Sequence, residues 1–298
     1  MYHGVVERYQ DPLLEEYCID KATLERQLRF VRKKYLPVPL SVLIDALKSG
    51  RRLDERWVAV TLDDSLKNQV TLGASVLSDH RIPWSLSVPA GLIGSSRAIW
   101  TNELSFLVLR CWSKESIMGP DGTAMFSTRT WKDKRRTLST LKSLLLSKPH
   151  PGTTQQYLDA RIKEVGEDSF FERFDRYGRF VQATWQDLRE LSSQGIELIS
   201  HGWRHLPQGM IPSTKELTLD IQTSRDKIEL ETGVRPGGFA LPNGLLRTGM
   251  RSAIEKAEYT FCLTSRPGRA TQDTDLLALP RVSGEYSLSL FRYVLSTT

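Results

Sequence analysis

The chain has 298 residues, 40% of them hydrophobic and 26% charged, with a formal net charge of +6. That balance is ordinary for a globular protein of one large α/β domain or two small ones. No apolar run approaches the ~18 residues of a membrane span. The opening Met1-Tyr-His-Gly-Val-Val-Glu-Arg lacks the basic-then-apolar order of a secretory signal. A cytoplasmic location is therefore expected, or a secreted or envelope-associated one if the N-terminus was trimmed. Cys18, Cys111 and Cys262 are far apart and form no Cys-x-x-Cys, which argues against a disulfide framework or a thiolate zinc site. The positive charge favours anionic surroundings. Its densest cluster, Lys132, Lys134, Arg135 and Arg136, precedes Leu138, Leu141, Leu144 and Leu145 at helical spacing and reads as a solvated helix face. No nucleic-acid motif accompanies it.

Residues 1–6 read as a short strand carrying Tyr2 and His3. Asp20 opens a helix in which Leu24, Leu28 and Val31 recur at helical spacing. Residues 41–47 form a second short helix, 58–62 a strand, 67–78 a helix and 82–88 the next strand. From about 91 to 181 the strand–helix rhythm breaks, and the stretch reads as a mostly helical insertion within a single 1–298 domain. Thr184 is an N-cap for a helix over 185–194 that Gly195 terminates. A strand over 196–200 follows, then a long helix over 214–232. A strand at 239–241, a helix at 249–257, a strand at 260–264 and a last one at Leu279-Pro-Arg-Val complete the pattern. Repeated strand–helix units imply a parallel sheet, open or closed into a barrel, with its site at the C-terminal strand ends.

Two motifs fall at such ends. Asp63 and Asp64 follow the apolar run Trp57–Leu62, and His201-Gly-Trp-Arg-His205 follows Ile196–Ser200. One carboxylate and two imidazoles can hold a divalent ion with open positions for water and a substrate oxygen, leaving the second carboxylate to take a proton. Phe239-Ala-Leu-Pro-Asn-Gly244 runs a strand into a turn, which either is turn chemistry alone or presents a backbone N–H to an oxyanion. His80 and His150 read as structural or surface residues.

As a set, these residues resemble the polysaccharide deacetylases, the NodB-homology carbohydrate esterases. Thr61-Leu-Asp-Asp-Ser65 resembles their first motif, His201–His205 their second, and Phe239–Gly244 the third of one branch. The opening Met1-Tyr-His3 is similar to the first strand of the branch that acts on exopolysaccharides such as poly-N-acetylglucosamine. The resemblance implies an α/β fold, a distorted (β/α)7 barrel, and metal-dependent removal of N-acetyl groups from an amino sugar, a polysaccharide or its precursor. By matching position it makes Asp64, His201 and His205 the ligands of one divalent ion, zinc being the expected one. It makes Asp63 the general base and the Asn243 N–H an oxyanion donor. Many family members carry a late histidine as acid and none follows His205 here; in the branch with the Met-Tyr-His opening the early histidine takes that place, so the resemblance makes His3 the candidate acid. Trp203 is a candidate to stack on a sugar ring. Ser65 replaces a usual glycine, Leu241 a common tyrosine, and Ala240 stands where other branches carry an arginine that supports the base. The expected partner is an N-acetylated glycan, in an anionic or lipid-linked form given the charge, with neither nucleic acid nor a transmembrane segment involved. The rival readings are a degenerate fold that only binds glycan or a partner, and a metal-dependent amidase acting on a small non-sugar amide.

Overall fold

Five parallel strands form the centre of the molecule, and each is buried because helices cover the sheet's outer face. The structure, a computed structural model, describes residues 1–147, 151–206, 211, 213–244, 249–284 and 287–297; His150 lies outside the described residues. The strands are β1 Gly4–Val6, β2 Cys18–Asp20, β3 Leu36–Pro37, β4 Trp57–Val58, β5 Val60–Leu62, β6 Trp84–Val88, β7 Ser116–Met118, β8 Met125–Ser127, β9 Glu197–Ser200, β10 Gly238–Ala240 and β11 Phe261–Leu263. The α-helices are α1 Lys21–Lys34, α2 Leu40–Lys48, α3 Ala74–Asp79, α4 Trp100–Phe106, α5 Trp131–Ser147, α6 Pro151–Val165, α7 Glu167–Tyr177, α8 Trp185–Ser193, α9 Thr214–Thr232, α10 Met250–Lys256 and α11 Leu288–Thr297.

The central order is β11-β10-β9-β6-β5. Single parallel bridges add Tyr2 beside Leu62 and Leu279 beside Leu263, which makes seven staves among the described residues. The first and last meet: the Met1 nitrogen donates to Val282 O at 2.8 Å, and Gly284 N donates to Met1 O at 2.7 Å. The sheet is thus curled into the distorted seven-stave barrel that the sequence implied. The expected strand at Leu279-Pro-Arg-Val is reduced to its one bridge: beyond Leu279 the regular register is lost, Arg281 N donating to Arg266 O at 2.9 Å while its side-chain Nε donates to Thr264 O at 2.8 Å. The strand expected over 58–62 divides at Ala59, because Val58 pairs with Pro37 while Val60 pairs with Trp84. The helix expected over 67–78 starts as a wide π turn, Gln69–Gly73, before α3.

Caps fix the helices where the sequence placed them. The Asp20 carboxylate accepts from Thr23 N at 3.0 Å, and α1 then buries Leu24, Leu28 and Val31. Thr184 and Asp187 form a reciprocal capping box at α8, and Gly195 takes the left-handed φ of 85° just beyond that helix. The segment 91–181 contributes α4 to α7 and the hairpin β7–β8. It has its own apolar cluster, with Phe106, Leu141, Leu158 and Phe170 at its centre and Leu14 reaching in from the β1–β2 loop. Cys18, Cys111 and Cys262 are buried free thiols. No described helix is long and apolar enough to cross a membrane, a property shared by cytoplasmic and exported proteins, so the fold lends the cytoplasmic expectation no support.

The capping box also anchors the loop that follows β5. Lys67 Nζ donates to both Asp187 carboxylate oxygens at 2.8 Å. Burial raises the Asp187 carboxyl, but the Lys67 ammonium and the Thr184 N–H and hydroxyl outweigh it and hold the group below its usual range. Its stabilisation is complete above the ordinary aspartate pKa of about 4 and is lost as pH falls through the lower folded value. Asp187→Ala is expected to lose about 1 kcal/mol near neutral pH. The difference from wild type should shrink below about pH 4, as read from urea unfolding at the two pH values.

Candidate metal centre and its paired base

The C-terminal ends of β5, β9, β10 and β11 open onto one cleft of about 370 Å³, whose lining includes His3, Asp63, Asp64, His201, His205 and Asn243. Asp63 is held in the barrel wall by its own backbone, with its N–H donating to Tyr2 O at 2.8 Å. The chain then turns sharply. Asp64 and Ser65 take φ of 90° and 52°, in the region that non-glycine residues rarely occupy. The glycine-to-serine departure therefore leaves the left-handed turn intact, at a strain of about 1–3 kcal/mol per residue. Ser65 Oγ offsets part of this by donating to Ser87 O at 2.9 Å. Gln69 stitches the turn from below: its amide donates to Asp63 O and His3 O and accepts from Leu66 N.

The histidine pair sits on a loop, not on a helical turn. Gly202 and His205 take φ of 76° and 53°, which folds the loop back on itself. His205 Nε2 comes within 3.1 Å of His201 Nε2 and 3.2 Å of Asp64 Oδ1, and His201 Nε2 lies 3.5 Å from that same oxygen. Ligand atoms at ~2.0–2.2 Å from a tetrahedral ion lie about 3.3–3.6 Å apart, so the three donors have the spacing of one face of such a site. His201 Nδ1 lies 2.8 Å from Ala240 O, and a carbonyl only accepts. The hydrogen is therefore on Nδ1, and the Nε2 lone pair is turned to the cluster. Asp64 Oδ1 is buried and makes no hydrogen bond, which is the condition of an oxygen with a missing cation. Burial raises the Asp64 carboxyl, but the two imidazoles outweigh it and hold the group well below its ordinary range. Donor types, spacing and the orphaned oxygen all fit a divalent ion on Asp64, His201 and His205.

Asp63 is paired differently. Arg281 clamps it bidentately, Nη1 to Oδ1 at 2.9 Å and Nη2 to Oδ2 at 2.7 Å, with side-chain exposures of 6% and 2%. Ser87 Oγ adds a bond to Oδ1 at 2.7 Å. Burial raises the Asp63 carboxyl, but the charges of Arg281 and His201 and the fork of hydrogen bonds drive it far below the usual carboxylate range. Oδ1 thus accepts two bonds and Oδ2 one, leaving Oδ2 with a lone pair to spare. The arginine missing at Ala240 is supplied from the last stave instead. Sequence reasoning did not find Arg281; the only signal for it was an arginine at the end of the final strand-like run.

The other expected residues are placed as follows. His3 lines the cleft 5.8 Å, ring centre to ring centre, from the exposed Tyr17, and its charge bears on both Asp63 and Asp64. Asn243 lines the cleft in a left-handed conformation, φ 56° and ψ 10°. Leu241 lines it too. Trp203 is not in the cleft lining. It packs over Gly91, where a Cβ would fall 2.6 Å from the indole, and Gly91 N donates to Trp203 O at 2.8 Å. Only glycine admits that ring, so Trp203 locks the histidine loop against the loop after β6 while its indole stays partly exposed. On the loop's other side the buried Asp220 accepts from Trp203 N at 2.9 Å and from Arg204 Nε at 3.2 Å. Burial raises the Asp220 carboxyl.

The molecule is thus a seven-stave α/β barrel that carries an Asp-His-His cluster beside a clamped aspartate. Residues 174–262 match the family model described as polysaccharide deacetylase. That match covers less than a third of the chain; over the rest the likeness to the solved deacetylase structures is one of fold. Among solved structures, the chain is similar to the deacetylase PplD of Streptococcus pyogenes, solved with acetate, at 14% identity and TM-score 0.59 over 95% of this chain and 89% of that one. It is similar to IcaB of Ammonifex degensii at 15% identity and TM-score 0.59 over 99% and 98% of the two chains. It is also similar to a de-N-acetylase of Aggregatibacter actinomycetemcomitans at 14% identity and TM-score 0.57 over 98% and 97%. No curated protein matches the sequence.

A buried ion pair broken on one side leaves an uncompensated charge, while replacing both partners with apolar groups is far cheaper. Arg281→Met is therefore expected to cost about 3–5 kcal/mol, and Arg281→Met combined with Asp63→Leu to recover most of that loss. Urea unfolding of the two variants in chelator checks this.

Proposed function

We propose that this protein is a metal-dependent N-deacetylase that hydrolyses the acetamide of an amino sugar within a glycan or its precursor. The observation that carries the reading is one cleft holding both a three-donor cluster and a separate aspartate kept ionised by Arg281. The names of the similar structures, deacetylase and de-N-acetylase, support the same chemistry.

Asp64, His201 and His205 would hold the ion, with zinc suited to two imidazoles and a carboxylate. A divalent ion bound there supplies polarisation of the amide carbonyl and a lowered pKa for water. The protein's own groups do the rest. Asp63 Oδ2, the oxygen with the spare lone pair, takes the proton of the attacking water. Arg281 and Ser87 fix that carboxylate and keep it charged, so it needs no activation in the working pH range. The Asn243 N–H is assigned to the developing oxyanion. His3 is assigned to give a proton to the departing nitrogen as the C–N bond breaks. Acetic acid, which ionises to acetate, and a free amine result; Asp63 then gives up the proton it took and His3 regains the one it gave. The presence of both carboxylates, both histidines and a replacement for the missing arginine argues against a degenerate binding module.

Acetate release from N-acetylglucosamine oligomers by the zinc-loaded protein is the expected activity. Asp63→Asn should lower it by about 10²–10⁴-fold while one metal per chain is retained in elemental analysis. Full activity in that variant would remove Asp63 from the role of base. His201→Ala should lose the metal itself. His3→Gln is expected to reduce kcat and abolish the basic limb of the pH profile without changing metal content, and an unaltered profile would reassign the acid.

A further inference from the structure

The positive charge of the chain is not spread evenly around the cleft. Residues 129–142 contain Arg129, Lys132, Lys134, Arg135, Arg136 and Lys142 against one acid, Asp133. Asp133 is engaged in capping α5, exchanging hydrogen bonds with Thr130. Arg129 pairs with Glu115, and Lys134 donates to Trp112 O. Lys132, Arg135 and Arg136 are exposed, and none has a carboxylate within ion-pair distance among the described residues. The helix itself leads to the site. Trp131, Arg135, Lys142 and Leu146 recur along one stripe of α5, and Lys142 and Leu146 line the cleft. From residue 131 to 142 that stripe runs about 16 Å at 1.5 Å per residue. Trp131 stands at its far end, 45% exposed. At the near end Lys142 Nζ contacts Glu16 at 3.0 Å, next to the exposed Tyr17 that flanks His3.

We infer that α5 is an extension of the substrate cleft that binds an acidic glycan, one carrying carboxylates along its length. The inference rests on the deacetylase reading for what happens at the cleft, but the binding it describes is separate from turnover. Cations strung along a helix suit single negative charges spaced along a chain, not one multiply charged group. Aromatic rings at both ends, Trp131 and Tyr17, give the apolar faces of sugar rings something to lie on, and Glu16 is displaced from Lys142 as the chain enters.

The test compares two probes of equal length: hyaluronan oligosaccharides, which alternate N-acetylglucosamine with glucuronate, and neutral chitin oligosaccharides. Binding is measured by calorimetry on the metal-loaded protein at low and physiological salt, and acetate release is followed in parallel. Hyaluronan is expected to bind at least tenfold tighter than chitin, with an advantage that falls as salt rises. Lys132→Glu, Arg135→Glu and Arg136→Glu combined should remove the advantage, with circular dichroism and acetate release from the chitin disaccharide unchanged. Equal binding of the two probes would overturn the inference, as would a salt-independent preference or an advantage untouched by the triple variant. So would capture of phosphatidylglycerol vesicles through these residues without hyaluronan binding. If hyaluronan binds through α5 and no probe releases acetate, the inference stands and the deacetylase reading falls. If chitin oligomers are hydrolysed and hyaluronan is not preferred, the reverse holds.

Discussion

The buried pair of Arg281 with Asp63 is the interaction on which the rest of the site depends. It joins the last stave to the second across the first, so the same contact that closes the barrel also sets the electrostatics of the candidate base. A carboxylate this deeply buried would ordinarily hold its proton. The guanidinium reverses that preference, and its planar fork also fixes which oxygen remains able to accept. Closure and chemistry are therefore not separable: a barrel open at the Met1–Val282 seam would leave Asp63 without its partner.

The metal-binding side is organised by a different device. The histidine loop has little regular structure, yet its geometry is determined from three directions: Ala240 O holds the His201 ring, Asp220 holds the backbone at Trp203, and Gly91 admits the Trp203 indole. The loop's fixed conformation comes from packing and hydrogen bonding, not from helical periodicity. Three donors thus lie within 3.5 Å of one another on a loop held by its own packing, the support that a precise donor set requires.

Much of this was legible in the sequence because it is local. The Asp20 and Thr184 caps, the helical spacing of Leu24, Leu28 and Val31, and the strand–motif junctions at Asp63 and His201 are short-range patterns with short-range causes. Arg281 was not legible: its partner is 218 residues away, and the run that carries it makes only a single bridge. The packing of Trp203 was not legible for a related reason: nothing in the sequence around it shows that Gly91 lies under its indole. The hairpin β7–β8 and the bounds of α7 also went unread, since three-residue strands and an eleven-residue helix give little periodicity to count within a stretch read only as mostly helical.

The cleft has walls of two origins. Leu14, Leu146 and Phe180 belong to or pack against the apolar cluster of the segment 91–181, whereas the cluster around Leu62, Leu86 and Val88 supports the strands that carry the ligands. Elements with separate cores open with separate free energies. Amide hydrogens of the 91–181 helices can therefore exchange in opening events that leave the ligand-bearing strands protected. Breathing of that wall would change the bore of the cleft without loosening the donors at its floor.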